Sequence, residues 1–183
     1  DAGKVFALDP HRHHDGVDVD RAHRGGQRGS SARLGDTRGG LEGDIRGISH
    51  NSIGRAAFVD TGTNHAVPRL LQALAAAGLA PEAVDWVIAT HVHLDHAGGA
   101  GQLMQALPNA RAVLHPRGAP HLIDPTKLIA GSIQVYGEAQ YRRRYGELIP
   151  IPAERVLVVE DQQRLTLGSR TFEFIDAPGH ARH

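Results

Sequence analysis

Residues 91–96 read His-Val-His-Leu-Asp-His, so three imidazoles and one carboxylate fall within six positions. Imidazole nitrogen and carboxylate oxygen are the donors that hold zinc and other hydrolytic transition metals. His91 and His93 stand two apart, and in an extended stretch they point to one side, where both can grip one ion. Asp95 and His96 follow after the chain bends toward a helix, where they could face a second ion beside the first. Gly98-Gly99 keeps that bend tight.

Several elements must position this segment. Val84–Thr90 is short, β-branched and aromatic, and reads as a buried strand ending at the first His. A strand end that opens into a helix start is a common place for a site in α/β folds. Upstream, Ala56–Asp60 reads as a buried strand that ends in an acid, and Thr61-Gly62-Thr63-Asn64 is turn chemistry. Val67, Leu70, Leu71 and Leu74 recur at helical spacing over 67–77, with Gly78 as the stop. Downstream, 102–107 continues a helix, 112–115 is a strand, and a helical region covers roughly 133–145. Val156–Val159, Arg164–Leu167 and Thr171–Ile175 read as strands, the last two joined at Gly168-Ser169 as a hairpin. Strands alternating with helices, followed by a run of strands, indicate an α/β layered domain.

Composition sets the bounds. The 183 residues suffice for one domain, and a net charge of zero gives no overall attraction to nucleic acid or an anionic membrane. No Cys is present, which excludes disulfides, a thiolate zinc site and a thiol nucleophile. No apolar run reaches membrane-spanning length. No secretory signal pattern precedes residue 20, which leaves the cytoplasm as the expected location. Half of the 22 Gly fall in residues 1–54, and only about a quarter of those residues are hydrophobic, against 40% overall. Residues 1–54 therefore form a Gly/Arg/Asp-rich segment expected to stay disordered, with one strand at Val5–Leu8. The organised domain is expected over 55–183.

Three landmarks stand in order: Phe58-Val59-Asp60-Thr61-Gly62, then His91–His96 with Ala97-Gly98-Gly99, then Ala177-Pro178-Gly179-His180. That series resembles the metallo-β-lactamase-fold hydrolases, in particular the glyoxalase II and lactonase-like branch. The resemblance covers roughly residues 55–183. It implies an αββα sandwich, of which this chain would hold the first half to two-thirds. It implies that His91, His93 and His180 bind a first metal and that Asp95 and His96 bind a second. Asp60 would support the site from behind by orienting a ligand or the attacking water. The implied function is metal-dependent hydrolysis of an ester, thioester, lactone or amide in a small-molecule substrate, using metal-bound hydroxide. Asp95 would also steer a proton to the leaving group.

The sequence departs from that family in two places. The family supplies a bridging Asp and a final His after the Pro-Gly-His turn, whereas only Ala181, Arg182 and His183 follow here. The expectation is one firm metal site and a second that is weak or absent, with zinc the default ion and iron or manganese also suited. The family also places apolar strands before the Phe-Val-Asp strand, and residues 9–54 lack that alternation. Both departures suggest a truncated enzyme of impaired activity, with residues before about Ile53 foreign to its reading frame. The alternative is an inactive fragment that binds RNA through Arg24-Gly25-Gly26 and Arg38-Gly39-Gly40, although interleaved Asp dilutes the charge that phosphate binding needs. Neither substrate nor oligomeric state is legible.

Other residues have plainer readings. His115 and His121 fit partly buried structural roles. Tyr136, Tyr141 and Tyr145 fit a core or a solvated face, and Arg142–Arg144 a solvated face. His11-Arg12-His13-His14 could hold stray metal, and Asp15, Asp18 and Asp20 lack the spacing of a calcium loop.

Overall fold

The computed structural model describes residues 43–45, 48–50 and 54–182. Val5–Leu8, the Arg-Gly-Gly stretches, the His11–His14 tract and the Asp15–Asp20 acids lie outside the described residues. Among the described residues, the principal sheet has six strands in chain order: β1 (Gly43–Ile45), β2 (Ile48–His50), β3 (Ala56–Val59), β4 (Val84–Ile88), β5 (Arg111–Leu114) and β6 (Val156–Val158). β1 to β3 are antiparallel, and β3 to β6 run parallel. β1 and β2 precede the expected domain start, so the sheet begins earlier than composition indicates. Each has three residues and includes Gly, Asp, Ser or His, too short and polar to show alternation.

β7 (Arg164–Leu167) and β8 (Arg170–Glu173) form a separate hairpin. Gly168 at φ +59° supplies the left-handed residue that opens its two-residue turn.

Side chains alternate between two cores. Ala56, Phe58, Ala112 and Leu114 face the helices and pack with Val67, Leu74, Leu103, Met104 and Leu107. Ala57, Ile88 and Val113 face the hairpin and pack with Leu167 and Phe172. The described layers are therefore helices, principal sheet and hairpin. Trp86 donates its indole N–H to the Thr166 carbonyl across the two sheets, at 3.3 Å. In β4 the alternation slips, because Ala56 pairs with Val84 while Ala57 pairs with Trp86. Asp85 is the extra residue of this bulge, which turns it toward Arg55 for an ion pair.

Among the described residues, six α-helices follow in order: α1 (Val67–Ala76), α2 (Leu94–Ala97), α3 (Ala100–Ala106), α4 (Ala119–Ile123), α5 (Thr126–Tyr136) and α6 (Glu138–Tyr145). α1 begins with Pro68 in its first turn and closes at Gly78, whose φ is +72°. The single helical region expected over 133–145 is instead two helices. The first starts at Thr126, where the Asp124 carboxylate accepts from the Thr126 N–H and hydroxyl. The break falls at Gly137, whose φ of +76° no right-handed helix allows.

Candidate metal centre

The site forms where β4 leaves the sheet. Ala89 donates its N–H to the Val113 carbonyl, and the chain then turns through Thr90 to His93, which is still extended at φ −62°, ψ 145°. α2 begins at Leu94. Leu94 and Ala97 are buried, which turns Asp95 and His96 toward the site. Gly98 and Gly99 have negative φ, so the bend does not need glycine freedom. They are needed for close approach. A Cβ on Gly98 would meet the Leu94 carbonyl at 2.3 Å, and one on Gly99 the Thr63 carbonyl at 2.9 Å.

His91, His93 and His180 come together. Ring centroids lie 4.7 Å apart for His91 and His93, 5.1 Å for His91 and His180, and 5.0 Å for His93 and His180. Their ligand atoms all fall within 4.8 Å of one another, the one such group among the described residues. His93 Nδ1 and His180 Nε2 are 3.2 Å apart. Two nitrogens on one tetrahedral zinc, each at roughly 2.0–2.1 Å, would be separated by about 3.3 Å. Burial pushes the His91 imidazole down to about 4, helped by His96 and His93 and opposed by Asp60. Burial and then His180 lower His93 as well. Both rings are thus neutral near pH 7, the form that ligates. The donor set fits a divalent transition metal.

His96 sits beside this trio, its ring 4.1 Å from that of His91. Its Nδ1 is 2.9 Å from Asp60 Oδ2. A carboxylate only accepts, so Nδ1 carries the proton and Nε2 is the basic nitrogen. That Nε2 is 3.8 Å from Asp95 Oδ2. Asp95 and His96 lie side by side, and among the described residues no third donor groups with them.

Asp60 controls more than one ring. Its Oδ1 accepts from the Thr90 N–H at 2.8 Å, and both its oxygens lie within 3.0 Å of the Thr90 hydroxyl. That hydroxyl spends its proton on the carboxylate, so it accepts from His91 Nδ1, 3.1 Å away. Asp60 therefore fixes His91 through Thr90 and His96 directly, each with Nε2 as the basic nitrogen. The following turn grips His96 by its backbone: Thr61 N–H, Gly62 N–H and the Thr61 hydroxyl all donate to its carbonyl, at 2.7, 3.0 and 3.1 Å. Asp60 itself lies at φ +56°, which Asp tolerates better than most residues. Thr90 and Thr61 were not singled out from sequence; a hydroxyl between a strand and a His motif was the available signal.

The remaining candidates sit elsewhere. Tyr141 is buried with Leu94 and Leu148, behind the site. Tyr136 is on α5 while Tyr145 is on α6, with their rings 5.8 Å apart. Arg142 pairs with Glu138 on the exposed face of α6, and Arg144 lies over the Tyr136 ring. His121 is on α4, and His115 is half-buried at the end of β5.

The described residues thus form a helix–sheet–hairpin α/β domain with a candidate metal-binding imidazole cluster at its strand ends. A family model of the metallo-beta-lactamase superfamily matches residues 52–183, and the chain belongs to that superfamily. It is 39% identical over 113 residues to Metallo-beta-lactamase domain-containing protein 1 of Mus musculus, covering 55% of this chain and 42% of that protein. It is 30% identical over 104 residues to a metallo-beta-lactamase fold-containing protein of Sulfurisphaera tokodaii, covering 55% and 39%. The matches thus span about two-fifths of these curated relatives. Among solved structures, MEM-A1, a subclass B3 metallo-beta-lactamase from a soil metagenome library, is similar with a TM-score of 0.54 at 25% identity. That likeness covers 75% of this chain and 49% of the other. SMB-1, a metallo-beta-lactamase solved with mercaptoacetic acid, is similar in fold, with a TM-score of 0.55 at 22% identity over 74% and 49%. Among the described residues, no helix is long and apolar enough to cross a membrane.

Proposed function

We infer that this chain carries the metal-binding half of a hydrolase acting on an ester, thioester, lactone or amide carbonyl. The observation that carries the reading is the convergence of His91, His93 and His180, with ligand atoms within 4.8 Å of one another. These three would hold one ion, with zinc the default and iron or manganese compatible. Bound there, the ion supplies a water of lowered pKa and a Lewis acid for the carbonyl. Asp60 and Thr90 hold His91 in the ligating tautomer. Asp95, at the edge of the cluster and about one-third exposed, is placed to pass a proton between solvent and the leaving group. Asp95 and His96 form half of a second site, weak in this chain.

The test is metal content. Chain reconstituted with zinc and desalted is expected to keep about one ion, and His91→Ala to keep almost none. Equal zinc in both would overturn the assignment. Turnover is then read on a panel of aryl ester, thioester, lactone and amide substrates.

A further inference from the structure

The third imidazole arrives by a different route from the first two. His91 and His93 sit on the loop that follows a central strand. His180 lies on an irregular, exposed stretch that begins where β8 ends at Glu173. Phe174 is still tied into the hairpin end, donating to the Gln163 carbonyl at 2.9 Å and accepting from Gln162 at 2.7 Å. From there to His180 the stretch has no regular secondary structure, and before His180 it is Asp176 that reaches back to the body of the domain. The Asp176 N–H donates to Asp161 Oδ1 at 2.9 Å. Its carboxylate Oδ1 lies 3.8 Å from His115 Nε2.

His115 is well placed to act as the fixed end. It follows the last residue of β5, the strand beside β4, and Val113 of that strand pairs with Ile88 just before the His motif. Its ring is oriented by a backbone bond, since the Arg117 N–H donates to His115 Nδ1 at 3.1 Å. An amide N–H only donates, so Nδ1 accepts and the ring proton sits on Nε2, the nitrogen facing Asp176. A donor just past the strand that flanks the site thus faces, across 3.8 Å, an acceptor four residues before the third ligand.

We propose that His115 is a positioning residue for His180: through Asp176 it ties the late segment to the strand ends that present His91 and His93. The inference rests on the reading that these three imidazoles share an ion. His115 would not touch the ion. It would reduce the freedom that the segment must lose when His180 ligates, the usual effect of a group that orients a ligand from behind.

Cobalt(II), added to metal-free chain and followed by its visible absorption, gives a binding readout independent of turnover. His115→Ala is expected to weaken cobalt about 3–10-fold, less than the roughly 10–100-fold typical of a group bonded directly to a ligand, because His115 acts through Asp176 across 3.8 Å. Asp176→Ala is expected to do the same, and the two changes together to cost no more than either alone. His115→Gln, which keeps a side-chain N–H donor, should recover most of the affinity. In a His180→Ala background, His115→Ala should have no further effect. Wild-type affinity in His115→Ala, or equal weakening with and without His180, would overturn the proposal. If His115→Ala does not fold, Asp176→Ala with and without His180 decides the question in the same way. Wild-type cobalt binding in His180→Ala would instead overturn the three-imidazole reading itself.

Discussion

Asp60→Asn should reverse the tautomer of His96 while leaving His91 as it is. Asn occupies the same left-handed backbone conformation with little strain, so the change isolates the carboxylate. The amide oxygen must stay at the Oδ1 position, where the Thr90 N–H and hydroxyl donate to it. The amide NH2 then replaces Oδ2 and faces His96 Nδ1 at 2.9 Å. Two donors cannot share that gap, so the His96 proton moves to Nε2. The Asp60 and His96 side chains are only 11% and 12% exposed, so solvent offers little relief. A bond to a charged acceptor contributes about 1.5–3 kcal/mol, and the reversed neutral bond about 0.5–1.5, for a net loss of about 1–2 kcal/mol. For a chain of this size that is a drop in Tm of about 3–6 °C. Long-range 1H–15N correlation spectra of metal-free chain at pH 8 separate the two tautomers directly. His96 remaining protonated at Nδ1 in Asp60→Asn would refute the reasoning, as would a flip of His91 instead.

Three further outcomes follow from the same structure. His91 is held below its ordinary value, at about 4, so the unfolded chain takes up a proton that the fold refuses. Its contribution to the stability of metal-free chain is full above about pH 6.5 and is lost as pH falls toward 4. Urea midpoints at pH 7.5 and 5 should therefore fall less in His91→Gln than in wild type, and an equal fall would contradict this. Arg155 donates to the carbonyls of Met104, Leu107 and Ala110, closing the end of α3. Arg155→Ala should cost about 2–4 kcal/mol in urea denaturation, and a loss under 1 kcal/mol would show those carbonyls satisfied otherwise. Gly101→Ala should destabilise by about 1–3 kcal/mol despite better helix propensity, because the new Cβ would lie 1.8 Å from the Ile149 carbonyl. A gain in Tm would show that α3 can shift.

What the sequence made legible follows the range of the interactions. The His91–His96 cluster is local, and strand, bend and helix start could all be read from adjacent residues. Asp60 was legible as an acid at a strand end, but its grip on Thr90 and His96 spans 30 and 36 residues and is visible only in three dimensions. His180 is 87 residues from His93, so no spacing rule links them. Only the ordered series of landmarks and its family resemblance pointed to it. Gly137 was in plain view, yet a Gly inside an apolar-periodic run does not announce a positive φ. β1 and β2 escaped because pairing with each other, and of β2 with β3, makes them strands rather than any pattern of their own.

The hairpin β7–β8 lies against the principal sheet through one apolar patch and the Trp86 contact, and it leads directly into the stretch bearing His180. An ion held by His91, His93 and His180 would therefore rivet the two sheets together at one edge. Loading at a hundred times Kd would strengthen the native state by about 2.7 kcal/mol. Chelation should release that rivet locally before the molecule unfolds, so amide exchange in Arg164–Glu173 should accelerate first while Phe58 and Leu114 stay protected.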